Sequence, residues 1–214
     1  MQVSVEDVHI RIPFNAGGRS PGVHVTGIIR AIAMETGILK MEQIEDLALV
    51  EIRPSMRFDD PVVALRVCMG LAWEDFYIRE VLGSEGVIPH PGEYCVDGVY
   101  MSLDGEALTQ VIVDNQPQHK LKVHEVKCTY KSTATVGETE GELLGQFLWL
   151  AQIKAYCKAA GTNLADLHVL FVNGNYKYPL QPVKRRFHLE FEDWEIEDNW
   201  NMLCAYRDAR LGGE

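Results

Sequence analysis

The sequence predicts an α/β fold, a mixed β-sheet with helices on its faces, and three observations carry that expectation. The hydrophobic period changes from helical to alternating near residue 94. Three strand signals then follow one another across short turns. A long helical segment separates them from one more apolar strand, a spacing that lets the chain return in parallel. With 214 residues, 47% of them hydrophobic and 24% charged, the chain is long enough for one domain with a real core. It is read as a single domain over 1–214, with 1–61 an N-terminal elaboration and 62–191 the core.

The elements follow in order. Val3–Ile12 has the composition of a strand, and Asn15–Gly22, with three glycines and a proline, that of a loop. Thr26 can cap a helix to about Thr36, stopped by Gly37, with Ile28, Ile29, Ile32 and Ala33 as its buried stripe. Val62–Leu82 is a stronger helical segment, ended by Gly83 and weakened in its middle by Gly70. Tyr94–Leu103 alternates as a strand, Asp104-Gly105 reads as a turn, and Leu108–Val113 is β-branched. Asp114–Gln118 turns again, and Leu121–Thr129 completes an antiparallel meander. Glu142–Ala160 is the clearest helix, stopped by Gly161. Leu167–Val172 then returns as a short apolar strand, Arg186–Phe191 is an edge strand, and Trp194–Arg210 a closing helix.

Composition narrows the function. No apolar run reaches the roughly 20 residues that cross a bilayer, and the start lacks the layout of a secretory signal, so no membrane partner is expected and a cytoplasmic location is the default. The five cysteines are scattered without a Cys-x-x-Cys pair and read as reduced core thiols. A net charge of −11 argues against a long basic surface for nucleic acid, since phosphate affinity comes from Lys and Arg. It does not exclude a local groove, because a site that holds cations must itself gather carboxylates.

One constellation stands out. In Leu121–Thr129 the two-residue period puts Leu121, Val123, Glu125, Lys127 and Thr129 on one face. In Tyr94–Met101, Asp97 shares its face with Cys95, Val99 and Met101, unusual company for a charge unless it serves a site. The meander allows Asp97 and Glu125 to approach, and converging carboxylates repel unless protonated or bridged by a cation. Oxygen ligands with open water positions suit Mg²⁺ or Mn²⁺, one or two ions, with the Val126 carbonyl as a further oxygen. Lys127 would position water, help deprotonate it, or stabilise charge on a transferring phosphate. The plain alternative is a solvated strand carrying Lys122, Glu125 and Lys127, for Glu-x-Lys arises by chance in any charged strand.

Taken with its neighbours, the pattern resembles the PD-(D/E)xK nuclease superfamily, in particular its RecB-like and phage-type exonuclease branches. The resemblance rests on Asp97 in Val-Asp-Gly-Val, Glu125-Val126-Lys127, Gln152-Ile-Lys-Ala-Tyr156, and Gly70-Leu-Ala-Trp-Glu74, spanning roughly residues 70–172. It implies a restriction-endonuclease-like core that hydrolyses DNA phosphodiester bonds. On it, Asp97, Glu125, the Val126 carbonyl and Glu74 would be metal ligands, Lys127 the catalytic lysine, and Gln152 and Tyr156 would lie near the DNA backbone. Asp97 and Glu125 stand 28 positions apart, with a long middle strand and turns between them, and Val96 replaces the eponymous proline.

The expected activity is therefore a Mg²⁺- or Mn²⁺-dependent deoxyribonuclease, an exonuclease in phage recombination or genome processing. Three rivals stand beside it: a structure-specific endonuclease, a non-catalytic nucleic-acid-binding or assembly protein of nuclease-like fold, and a phosphohydrolase of small nucleotides. Homo-oligomerisation would enclose DNA and offset the unfavourable charge, though no interface is legible in the sequence. Lys184-Arg185-Arg186 is the densest basic patch, Arg53 and Arg57 lie in a polar connection, and the four tryptophans read mostly as core anchors. The histidines show no zinc spacing, and His124, opposite in direction to Glu125, is read as structural or at most as a support behind a ligand.

Overall fold

The computed structural model describes residues 20, 22–38, 61–136 and 143–211, the side chains of residues 61–64, 66 and 67 excepted. The expected strand Val3–Ile12, nearly all of the loop after it, Arg53 and Arg57 lie outside the described residues. The chain begins with β1 (Val23–His24) and α1 (Val25–Glu35). The predicted stripe of α1 is buried as expected, and Gly37 lies beyond its end at φ +72°.

Helix α2 (Pro61–Phe76) runs through Gly70 without a break, passes into a π-helical turn at Tyr77–Leu82, and ends in a 3₁₀ turn at Gly83–Glu85. The wider turn brings Tyr77, Ile78 and Leu82 together into a small core with Val87 and Val126. Strand β2 (Ile88–Pro89) follows.

The next segment departs from the expected meander. Tyr94–Leu103 is not one strand but a hairpin, β3 (Glu93–Val96) and β4 (Val99–Ser102), closed at Asp97-Gly98. Both turn residues lie in the left-handed region, φ +49° and +76°, as a two-residue type I′ loop requires. Asp-Gly is one of the pairs that loop favours, and the β3–β4 pairing places the turn at 97–98. Asp104-Gly105 instead carries the chain from one sheet to another, and Gly105 opens β5 (Gly105–Val113). A Cβ on Gly105 would stand 2.7 Å from Val87 Cγ1, so the absent side chain is what lets β2 approach here.

A second type I′ loop, Asp114-Asn115 at φ +51° and +60°, joins β5 to the long strand β6 (Gln116–Thr129). Helix α3 (Phe147–Ala160), capped by Gly161 at φ +64°, makes the expected crossover to β7 (Leu164–Phe171), parallel to β6. Strand β8 (Val183–Glu190) pairs antiparallel on the far edge, and α4 (Asp193–Leu211) closes the chain. The result is a five-stranded mixed sheet, β2-β5-β6-β7-β8, beside a three-stranded sheet, β1-β4-β3, with helices on their faces. This is the mixed α/β architecture the sequence predicts, a mixed β-sheet with helices on its faces.

The main core fills the space between the sheet face of Val123, Ala165, Leu167 and Val169 and helices α1, α3 and α4. Trp200 is buried in it, whereas Trp194 is exposed, against the expectation that the tryptophans are mostly core. All five cysteines are free; Cys157 alone is buried and Cys95 is exposed, so the core-thiol reading holds for one of them. No helix among the described residues is long and apolar enough to cross a membrane.

Candidate active site

The site lies where β5 stops short of the end of β6. In the β5–β6 ladder Gly105 faces His124, and one step further places Asp104 opposite Glu125. Asp104 Oδ2 accepts the Val126 N–H at 2.8 Å, which locks the carboxylate against β6. A strand residue's N–H and C=O point to the same side. The Val126 carbonyl therefore also points past the end of β5, toward Asp104.

Glu125 projects to the α3 face of the sheet and is 0% exposed. Its Oε1 accepts from Lys127 Nζ, but its Oε2 is buried without a hydrogen-bond partner among the described residues. Burial, and after it the Asp104 carboxylate, push the Glu125 carboxyl well above its usual range despite the pull of Lys127. A buried, unpaired carboxylate oxygen is costly, and a second carboxylate beside it adds repulsion. Burial alone would lower the Lys127 ammonium, but Glu125, Asp104 and Glu74 outweigh it and the pKa is raised. Lys127 is therefore a cation at neutral pH, its side chain 24% exposed. Glu74, half-buried on α2, adds its charge to both groups.

From α3, Gln152 Oε1 accepts from Lys127 Nζ at 3.3 Å while its Nε2 donates to Tyr156 Oη at 2.7 Å. The i,i+4 spacing thus makes a chain from Tyr156 through Gln152 to Lys127. Tyr156 is only 3% exposed, so it steadies Gln152 from inside the core rather than lying against a polymer, a correction to the expected contact with substrate.

The structure brings together Glu125, Val126, Lys127, Gln152, Tyr156 and Glu74, but not Asp97. Asp97 occupies the β3–β4 turn, where its Oδ2 accepts Trp200 Nε1–H at 2.8 Å and its carbonyl accepts from Arg207, both on α4. Strand β4, four residues and about 13 Å long at roughly 3.3 Å per residue, separates it from Asp104. The carboxylate beside Glu125 is Asp104, 21 positions upstream. Its signal was present in the sequence: a two-residue loop at Asp114-Asn115 fixes a register that pairs Asp104 with Glu125.

The basic patch is spent on packing. Arg185 donates to the Thr133 and Val136 carbonyls, Arg186 pairs with Glu85, and Lys184 lies over the Tyr77 ring.

The opposite face of β6 and β7 carries a second cluster that can coordinate a divalent metal, His124, Asp166 and His168. His124 Nδ1 and His168 Nε2 are 3.1 Å apart, and the Tyr77 hydroxyl is 3.3 Å from His168 Nδ1. Burial pushes the two imidazoles down to about 4 and about 3, so both are neutral at pH 7. Lys122 and His188 bond Asp166 and hold its carboxyl low although burial opposes them.

No protein-family profile matches the sequence, and no curated protein is similar enough to count as a relative. Among solved structures the chain has a distant likeness to the alkaline exonuclease LHK-Exo of Laribacter hongkongensis. One of its structures matches at 16% identity over 67% of this chain and 68% of that one, TM-score 0.41. A second, in complex with dAMP, matches at 14% identity over 89% and 90%, TM-score 0.44. The protein SSO0001 matches at 12% identity over 87% and 77%, TM-score 0.40.

Proposed function

We propose that the chain is a divalent-cation-dependent nuclease of the PD-(D/E)xK kind that hydrolyses phosphodiester bonds in DNA, acting from an end. The observation that carries this reading is the fully buried Glu125 with an unpaired Oε2 beside the Asp104 carboxylate. Such a pair is unfavourable by itself and becomes favourable around a cation. Asp104, Glu125 and the Val126 carbonyl form an oxygen set that fits Mg²⁺ or Mn²⁺, one or two ions, with Glu74 placed to hold a further ligand water. When bound, the ion polarises the phosphoryl oxygen and lowers the pKa of water.

The protein's own groups do the rest. Lys127, held as a cation, donates an N–H to the oxygen of the attacking water and lessens the negative charge that builds on the phosphoryl oxygens. Gln152 keeps the Lys127 head in place, and Tyr156 keeps Gln152 in place. The water oxygen attacks phosphorus and gives up its proton to solvent, the bond from phosphorus to the leaving sugar oxygen breaks, and that oxygen takes up a proton from solvent.

The test compares end-labelled linear DNA with covalently closed circular DNA in Mn²⁺, Mg²⁺ or chelator. The expected result is loss of linear DNA with either ion, none with chelator, and an intact circle. Nicked circles would make the enzyme an endonuclease, and hydrolysis of mononucleotides alone would remove DNA as the substrate.

A further inference from the structure

The molecule has two donor clusters of different chemistry on opposite faces of β6. Glu125 and Lys127 face α3, while His124 and Val126 face the π-helical turn at Tyr77–Leu82. Parallel pairing sets His124 beside Asp166 and Val126 beside His168, so two residues of β7 join His124 on that second face. We propose that His124, Asp166 and His168 bind one transition-metal ion of the Zn²⁺ or Co²⁺ class, separate from the oxygen-rich site and clamping β6 to β7.

Four features of the cluster carry this. One ligand atom from each residue lies within 4.8 Å of the others, and all three residues are buried. The facing nitrogens, His124 Nδ1 and His168 Nε2, are 3.1 Å apart, close to the roughly 3.3 Å edge of a tetrahedron with about 2.05 Å bonds. The remaining nitrogen of His168 is engaged by the Tyr77 hydroxyl, the outer hydrogen bond that orients a ligating imidazole. Asp166 Oδ1 already has two partners against it, Lys122 Nζ at 3.3 Å and His188 Nδ1 at 2.8 Å. In the ion-free protein Lys122 supplies positive charge that a metal would bring, and His188 occupies a place at the carboxylate. His188, 69% exposed, and Lys122 can move to solvent when it binds, and His188 can return as a fourth ligand.

The donor types separate the two sites. Two imidazoles and one carboxylate suit Zn²⁺, Co²⁺ or Ni²⁺, whereas an all-oxygen set suits Mg²⁺ and Mn²⁺. An ion on the histidine face ties His124, the chain neighbour of Glu125, to β7, and so holds β6 from behind.

The experiment titrates untagged, chelator-treated protein with Co²⁺ and records visible absorption and Tm. The wild type and Asp104→Asn are expected to bind one equivalent with the intense bands of a four-coordinate site and a higher Tm. His168→Gln and Asp166→Asn are expected to lose both. Absence of the bands in the wild type, or their loss in Asp104→Asn with retention in His168→Gln, overturns the proposal. If the buried-site variants fail to fold, X-ray absorption of the Zn²⁺-loaded wild type decides. Two imidazole nitrogens at about 2.0–2.1 Å support the site, and oxygen scatterers alone overturn it. Neither outcome depends on DNA cleavage, so this test and that of the nuclease reading fail separately.

Discussion

Lys127→Ala is expected to lower the rate of DNA cleavage by about 10²–10⁴-fold, the range for losing a group that acts on the reacting atoms. In barrier terms that is about 3–5 kcal/mol. The ammonium touches both Glu125 and Gln152 and carries its full charge at neutral pH. Removing it takes a positive charge from beside two carboxylates, so Mn²⁺ binding at pH 8 is expected to be no weaker than in the wild type. Low kcat with undiminished metal affinity is the signature of a lysine that works on the transition state. Lys127→Met keeps the stem that packs along β6 and controls for lost packing. A rate equal to that of the wild type in both variants would remove Lys127 from the chemistry.

The second large effect separates two Asp-Gly pairs that look alike in the sequence. Asp104→Asn is expected to cut activity at least about a hundredfold through loss of metal affinity. The amide oxygen can still accept the Val126 N–H, so the fold should survive. Asp97→Ala is expected to leave cleavage intact and to lower Tm. It removes the acceptor of the Trp200 N–H and puts alanine at φ +49°, together costing about 1–3 kcal/mol, or several degrees in a chain of this size. Asp97→Asn, which tolerates that backbone and still accepts from Trp200, should recover most of the Tm. Activity lost in Asp97→Asn and kept in Asp104→Asn would reverse the assignment.

The contrast shows how far the sequence reaches. Periodicity located α1, α3, α4 and the crossover from β6 to β7, because each buries one face and the pattern records it. Glu125 and Lys127 were legible because two-residue spacing along one strand needs no knowledge of its neighbours. Asp104 was not, because its role depends on register. Asp97-Gly98 and Asp104-Gly105 carry the same turn chemistry, and only pairing decides which becomes the loop. The five-residue turn expected at 114–118 hid the two-residue loop that sets this register, and with Pro117 inside β6 opposite Ile112 the true strand is longer than the pattern suggested. The His124–Asp166–His168 cluster was invisible for a related reason, since its members come from two strands that meet only through the α3 crossover. Lys184–Arg186 shows a further limit: a run of positive charge says nothing about the carbonyls, rings and carboxylate it meets after folding.

The most direct test of the central claim is the position of Mn²⁺ in crystals of the protein soaked with that ion, read from its anomalous scattering. The account predicts a peak within about 2.5 Å of both an Asp104 oxygen and Glu125 Oε2. A peak confined to the Asp97 turn or to the histidine face, or no ordered Mn²⁺ between Asp104 and Glu125 at saturating concentration, would contradict it.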